Sequence, residues 1–303
     1  MDIKRQAAED FSKARTKEIF SRIMHFMNTG RDKLLSLNDV RQILKPKTES
    51  YRGMDAVPVK LIVGSEGRYR DFNKYFLPRS EHLRSRWERV DQARLTDITL
   101  PPIQLYEVGG AYFVRDGNHR VSVARSQGVE MVDAEVTSLS TEIQISPRMT
   151  IDELKTALVG YEKNLFYEKT RFMELTGCGD LDFTVPGRYD VIYNHILVHK
   201  YYINQSRTGE LSFDEALVSW YQNVYTPIIS IITGEKLCSL FSQRTPGDLY
   251  VWIVRHWDEL KKKYGLHYTL SDAIHDFSNR YGNGRVSFLA LIKSFITGIF
   301  TRR

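Results

Sequence analysis

The sequence predicts an α+β fold over its first half and a mostly α-helical second half. Short apolar segments bounded by Gly and Pro alternate with helical patterns between residues 57 and 140. From Thr150 onward, long helical patterns replace them. The composition, 42% hydrophobic and 26% charged, is that of a globular protein that buries a core. The 303 residues suffice for two domains, or for one domain with large additions.

Residues 1–50 are predicted to form an N-terminal helical arm. Apolar side chains recur at helical spacing within residues 3–29, and Gly30 ends that pattern. A second, shorter helix is expected over Leu35–Leu44, with Ser36 or Asn38 as its N-cap. The following segment, KPKTESYRGMDA, has no regular pattern. We therefore place a domain boundary near residue 50.

Residues 51–145 are predicted to form an α+β domain. Gly109-Gly110 supplies the positive φ angles that a two-residue hairpin needs, and Asp116-Gly117 supplies a second turn. The predicted elements are, in order, a strand at Val57–Val63, a helix through Leu83, Trp87 and Val90, strands at Pro102–Val108 and Ala111–Arg115, a short helix that Gly128 ends, and a strand from Val129.

Residues 146–280 are predicted to form an α-helical domain, whose many aromatic side chains at helical spacing indicate a core. Residues 281–303 are expected to form an amphipathic helix that ends in Arg302-Arg303. Such a helix suits an anionic membrane surface, the protein's own body, or a second copy in a homodimer.

The composition also narrows the class of protein. No segment reaches the ~20 apolar residues that span a bilayer, and the N-terminus has no apolar signal region. Cys178 and Cys238 are far apart and lack metal-ligand spacing, so we expect reduced thiols and a cytoplasmic protein. The net charge of +6 is compatible with an anionic ligand or nucleic acid.

The segment VRDGNHRVSVARSQG, from Val114 to Gly128, carries the candidate site. It places the backbone N–H groups of residues 118–120 at a helix N-terminus, where they have no partner inside the helix. Gly117 lets a ligand approach the backbone, Arg120 suits phosphate oxygens, and His119 transfers a proton near neutral pH. These features predict a phosphate site. Alternatively, Asn118 caps the helix and Arg120 pairs with a surface carboxylate.

The segment PPIQLYEVGGAYFVRDGNHRVSVARSQGVEMVDAEV resembles the core of the ParB N-terminal/sulfiredoxin-like superfamily. The shared pattern is strand, hairpin, strand, [D/G]-G-x-[H/R]-R, helix, Gly, strand, and it covers roughly residues 55–140. The whole chain also resembles a bacterial family with this domain between helical extensions. The resemblance implies a mixed sheet and a nucleotide whose phosphates bind at the turn. Members include CTP-switching partition proteins, sulfiredoxin and ParB-like kinases that act on free serine.

The resemblance implies roles for particular residues. Gly117, Asn118, His119 and Arg120 would hold the phosphates of ATP or CTP, together with Arg68 and Mg²⁺. The catalytic candidates are Glu66, as the carboxylate that precedes the hairpin, together with Asp116 and His119.

Departures from the family pattern restrict the activity. Asn118 replaces the nucleophilic cysteine of sulfiredoxin, which argues against sulfinic-acid repair. The Glu of the partition proteins' Gly-Glu-Arg-Arg is also missing, which puts CTP in doubt. The turn is closest to the Asp-Gly-His-His-Arg of the serine kinases. Hydrolysis of the nucleotide, phosphoryl transfer and a conformational switch all remain open.

Other features allow other functions. The segment from Arg68 to Arg94 is rich in arginine, which suits nucleic-acid phosphates or a solvated helix face interleaved with acidic residues, namely Glu81, Glu88 and Asp91. A DNA-binding protein of regulatory or chromosome-partition type, with contacts from the helical half, is the alternative function. A scaffold without ligand is the third. His195 and His199 share a helix face, where packed or hydrogen-bonded histidines are favoured over a zinc pair, so no metal site is predicted.

Overall fold

The computed structural model describes residues 2–24, 33–205, 207–264 and 276. The chain divides into two compact units, the first ending at Leu158 and the second beginning at Val159. The predicted N-terminal arm and α+β domain therefore lie in one unit. Among the described helices, none has the length and apolar character needed to cross a membrane.

The first unit is built on a six-stranded mixed sheet with the strand order β1-β3-β5-β4-β6-β2. Its strands are β1 (Leu35–Ser36), β2 (Glu49–Pro58), β3 (Ile62–Ser65), β4 (Ile103–Val108), β5 (Ala111–Asp116) and β6 (Met131–Leu139). Strand β5 pairs with β4 antiparallel and with β3 parallel, while β6 pairs with β4 parallel and with β2 antiparallel. The predicted hairpin and the strand after the short helix are confirmed.

The prediction was wrong for the segment before residue 59. Residues expected to lack regular structure form β2, an edge strand whose side chains are almost all exposed. Apolar alternation is therefore absent from its sequence, because Val57 near its end is the one residue of the strand that is fully buried. The predicted strand Val57–Val63 is instead the end of β2, a 3₁₀ turn at Val59–Leu61 and the start of β3.

Helices cover both faces of this sheet. They are α1 (Ile3–Met24), α2 (Leu37–Leu44), α3 (Arg84–Leu95), α4 (Asn118–Ser126) and α5 (Ile151–Thr170), of which α5 continues into the second unit. Ser36 caps α2 as predicted, and its hydroxyl accepts from the N–H of Asp39. Val114 and Val121 share one apolar cluster, whereas Phe113 and Val40 share another. Alternate residues of β5 therefore face α4 and α2.

Helix α1 is packed against the body of the first unit. Phe11 on α1 meets Trp87 on α3 edge to face, with the ring centroids 5.6 Å apart, and Val123 of α4 completes the cluster. The predicted helix over residues 3–29 is observed as far as Met24, and residues 25–29 lie outside the described part of the chain.

The second unit contains further helices around an aromatic core. They are α6 (Phe172–Thr176), α7 (Arg188–Asn204), α8 (Phe213–Trp220), α9 (Thr226–Gly234) and α10 (Pro246–Tyr264), with a π-helical turn at Tyr221–Tyr225. Trp220, Tyr225 and Tyr250 are buried together, which confirms the predicted aromatic core. The predicted amphipathic helix 281–303, and residues 265–280 apart from Asp276, lie outside the described residues.

Candidate anion-binding site at the start of helix α4

Helix α4 begins at a glycine that its neighbours enclose. Gly117 has φ +106°, a conformation that L side chains rarely adopt. A Cβ there would lie 2.5 Å from Ile103 Cγ2 and 3.2 Å from Arg120 Nε. We predicted that Gly117 leaves the backbone open to a ligand. Its Cα instead faces the protein's own side chains, so this glycine serves the packing of α4 on β4.

Arg120 ties two strands together. Its guanidinium donates to the carboxylate of Asp116 at the end of β5 and to the carbonyl oxygens of Pro101 and Pro102, the latter at 3.0 Å. The Arg120 side chain is only 16% exposed. The structure thus shows the alternative in which Arg120 pairs with a carboxylate. A phosphate would have to compete with Asp116 for this guanidinium.

Asn118 and His119 are buried without polar partners. They are 7% and 5% exposed. Among the described residues, neither Asn118 Oδ1 nor either ring nitrogen of His119 has a hydrogen-bond partner. The backbone N–H groups of residues 118–120 likewise donate to no described group. Asn118 is the first residue of α4 and does not cap it. Since an unsatisfied buried polar group costs about 1–3 kcal/mol, this cluster is suited to a ligand.

The His119 ring stands edge-on to Phe72 at 5.4 Å, and two arginines and Asp71 act on it electrostatically. Burial, followed by the charges of Arg86 and Arg68, lowers the pKa of His119 to about 4. The imidazole is therefore neutral at pH 7, with one ring nitrogen that can donate a hydrogen bond and one that can accept. The proton-transfer role predicted for His119 stays a prediction, and burial disfavours the charged ring that it would form.

The structure places one further arginine, Arg86, near the predicted site. Arg68 lies near His119 as expected and pairs with Asp71 at 3.1 Å. Arg86, at the start of α3, also acts on His119 and forms no ion pair with any described residue. No local pattern predicted its place here, because Arg86 is far from the turn in sequence. The clustering of arginines between Arg68 and Arg94 was the one signal available.

Glu66 is not brought against the start of α4. It follows β3, and its N–H donates to the carbonyl of Val114 at 2.9 Å. The preceding Ser65 faces α4's side of the sheet, where its hydroxyl accepts from the N–H of Arg68. The Glu66 carboxylate lies 3.7 Å from Arg41 of α2, on the opposite face. Strand alternation thus separates this predicted catalytic carboxylate from His119.

The other predicted features have structural explanations. His195 Nδ1 lies 3.1 Å from the Tyr250 hydroxyl, and His199 Nε2 lies 3.0 Å from Ser219 Oγ, as expected for hydrogen-bonded histidines. Burial lowers the pKa of both rings. Across the described residues, no group of three His, Cys, Asp or Glu side chains could hold a metal ion.

The Arg-rich helix is partly the solvated face that was predicted. Arg84 pairs with Glu81 at 2.9 Å and with Glu88 at 3.1 Å. The prediction was wrong for Asp91, which is fully buried and accepts from Gln127 Nε2 at 2.6 Å. Burial, and then the charge of Asp10, raise the pKa of Asp91 to about 6.

Comparisons of the chain with protein-family models, with curated proteins and with solved structures found no match.

Proposed function

We propose that the first unit binds the phosphate groups of a nucleotide at the start of α4, as a member of the ParB N-terminal/sulfiredoxin-like superfamily. The observation that carries the proposal is a cluster of buried polar atoms on Asn118 and His119, beside the N–H groups of the first helical turn, for which the described part of the chain supplies no hydrogen-bond partner. A phosphate would satisfy such donors, and the helix dipole would favour its negative charge.

In this proposal the residues have separate tasks. The N–H groups of residues 118–120 and the neutral His119 ring donate hydrogen bonds to phosphate oxygens. Arg68 and Arg86 supply the positive charge. Arg120 stabilises the conformation of the turn and does not contact the phosphate, because its N–H groups already donate to Asp116 and to two carbonyl oxygens.

Chemistry on the nucleotide would need a base and usually a metal ion. The two predicted carboxylates are engaged, Asp116 by Arg120 and Glu66 by Arg41. We therefore propose binding as the primary activity. Hydrolysis or phosphoryl transfer with Mg²⁺ would follow only if ligand binding released Asp116.

The test is calorimetric titration of the full chain with ATP, CTP, GTP and ADP, with and without Mg²⁺. We expect one nucleotide to bind, and Arg68→Ala/Arg86→Ala to weaken it at least tenfold through the loss of two charges. The matched control is Arg52→Ala/Arg89→Ala, which removes two exposed arginines elsewhere in the first unit and should bind as wild type.

Two results would contradict the proposal. One is the absence of binding by all four nucleotides. The other is equal binding by wild type and by Arg68→Ala/Arg86→Ala, which would place the ligand elsewhere. Arg120→Ala is a poor probe of binding, because it also releases the start of β4 from the end of β5.

A further inference from the structure

The first unit contains a large cavity apart from the start of α4. Its volume is about 2170 Å³, and residues of the β2–β3 connection, the loop 69–79, the end of α4 and the start of α5 line it. None of residues 116–120 is among the described residues that line it. Pockets for small ligands measure about 300–1,000 Å³. The cavity is therefore sized for an extended ligand.

The cavity wall is positively charged. Among its described lining residues, seven are Lys or Arg and four are Asp or Glu. Four of these cations, Lys60, Arg70, Lys74 and Arg148, form no ion pair with any described residue, in contrast to Arg84 on α3. Unpaired cations along a concave wall attract a polyanion and release its counterions on binding.

Arg125 holds this wall in place and adds to its charge. Its guanidinium donates to the carbonyl oxygens of Lys74, Val59 and Ile62 at 3.0, 2.9 and 2.7 Å, and no described carboxylate pairs with it. Burial lowers the pKa of Arg125 to about 10, so the group stays charged at neutral pH. The loop 69–79 and the β2–β3 connection are thereby joined through one cation.

Two aromatic rings on the same wall each lie beside a cation. Arg70 lies 5.5 Å from the ring centroid of Tyr69, and Lys74 lies 5.0 Å from that of Tyr75. The Tyr75 residue is 46% exposed. Folds that bind single strands combine a cationic groove with aromatic rings on which successive bases stack. A duplex keeps its bases inside and would use only the charges.

We propose that this cavity binds single-stranded nucleic acid, with phosphates along Lys60, Arg70, Lys74 and Arg148 and a base stacked on Tyr75. The inference is independent of the nucleotide site, because the two share no residue.

The test is fluorescence anisotropy of the full chain with labelled single-stranded DNA and RNA of about 16 nucleotides, the upper site size of single-strand-binding folds. Duplex DNA of the same length and heparin are the comparison ligands. We expect the single strand to bind most tightly. Arg70→Ala/Lys74→Ala should weaken it at least tenfold and reduce the slope of log K against log salt by about 1.4. Tyr75→Ala should weaken it about fivefold or more.

Controls separate this proposal from general cationic attraction and from the nucleotide site. Arg52→Ala/Arg89→Ala removes the same charge outside the cavity and should bind as wild type, as should Arg68→Ala/Arg86→Ala. Lys60→Ala/Arg148→Ala alters the wall at other positions and should repeat the loss if Arg70→Ala/Lys74→Ala proves unfolded by circular dichroism. Equal affinity for duplex or heparin, or no binding of single strands, would overturn the inference, as would unchanged binding by Tyr75→Ala.

Discussion

The buried ring of His119 should make the stability of the first unit depend on pH. A pKa of about 4 instead of the ordinary 6.5 corresponds to about 3 kcal/mol in favour of the neutral ring. Relaxation of the protein around a charge that forms inside it reduces this, so we expect about 2 kcal/mol in measurement. The unfolded chain takes up the proton first, near pH 6.5. The free energy of unfolding is therefore fully retained above pH 6.5 and decreases as the pH falls toward 4.

The assay compares wild type with His119→Gln, which cannot titrate, in urea unfolding at several pH values. Trp87 reports on the first unit as its one tryptophan, and the signal of the other three is common to both proteins. Relative to the variant, wild type should lose about 2 kcal/mol between pH 7 and pH 4. A difference in unfolding free energy that stays constant over this range would refute the argument. If phosphate binds at α4, saturating ligand should raise the His119 pKa in an NMR titration.

Three further changes have defined outcomes. Gly117→Ala should lower the free energy of unfolding by more than about 2 kcal/mol, because it adds a clash with Ile103 to the strained φ. Gly128→Ala is its control, with φ +72° and open space, and should cost about 1 kcal/mol; equal losses would contradict the role of Ile103. Asp91→Asn should stabilise the protein by about 2 kcal/mol at pH 8. Because the pKa of Asp91 is raised, ionisation of its buried carboxyl group lowers the free energy of unfolding of wild type as the pH rises from 3.8 through 6. The gain from Asp91→Asn should therefore vanish near pH 4 in urea unfolding. A gain independent of pH would exclude this cause. Arg120→Lys should lower the melting temperature by several degrees, since an ammonium group cannot reach one carboxylate and two carbonyl oxygens at once. An unchanged melting temperature would show that the contacts of Arg120 with Asp116, Pro101 and Pro102 contribute little to stability.

Local signals predicted the part of the fold that local chemistry determines. The hairpin at Gly109-Gly110, the Asp116-Gly117 turn and α4 depend on residues adjacent in sequence, and they were predicted within one or two positions. Strand β2 was not predicted, because it is an exposed edge strand that is stabilised by pairing with β6. No pattern within residues 49–58 contains that information.

The position of the turn before α4 was predicted, but the contacts of its side chains were not. The sequence located the turn and left two uses for Arg120 open, because either a phosphate or a carboxylate fits a guanidinium. Choosing between them requires the distance to Asp116 and to the start of β4. The neutral state of His119 depends on its burial, and the position of Arg86 depends on the packing of α3. Neither can be predicted from the spacing of residues in the sequence.

The π-helical turn at Tyr221–Tyr225 has a consequence for how this protein can change in evolution. Trp220 and Tyr225 are both buried and lie five positions apart along the continuous helical segment, whereas an α-helix brings residues three or four positions apart onto one face. The π turn takes up one extra residue, so Ile228 and Ile232 face the same core as Trp220 and Tyr225. Deleting one residue from the turn would leave a regular α-helix in which Tyr225, Ile228 and Ile232 follow Trp220 at α-helical spacing, so their side chains would stay on the buried face. The same deletion within α9 would instead rotate the residues that follow it by about 100°. The turn is therefore the place in this segment where the protein can lose one residue and keep its core.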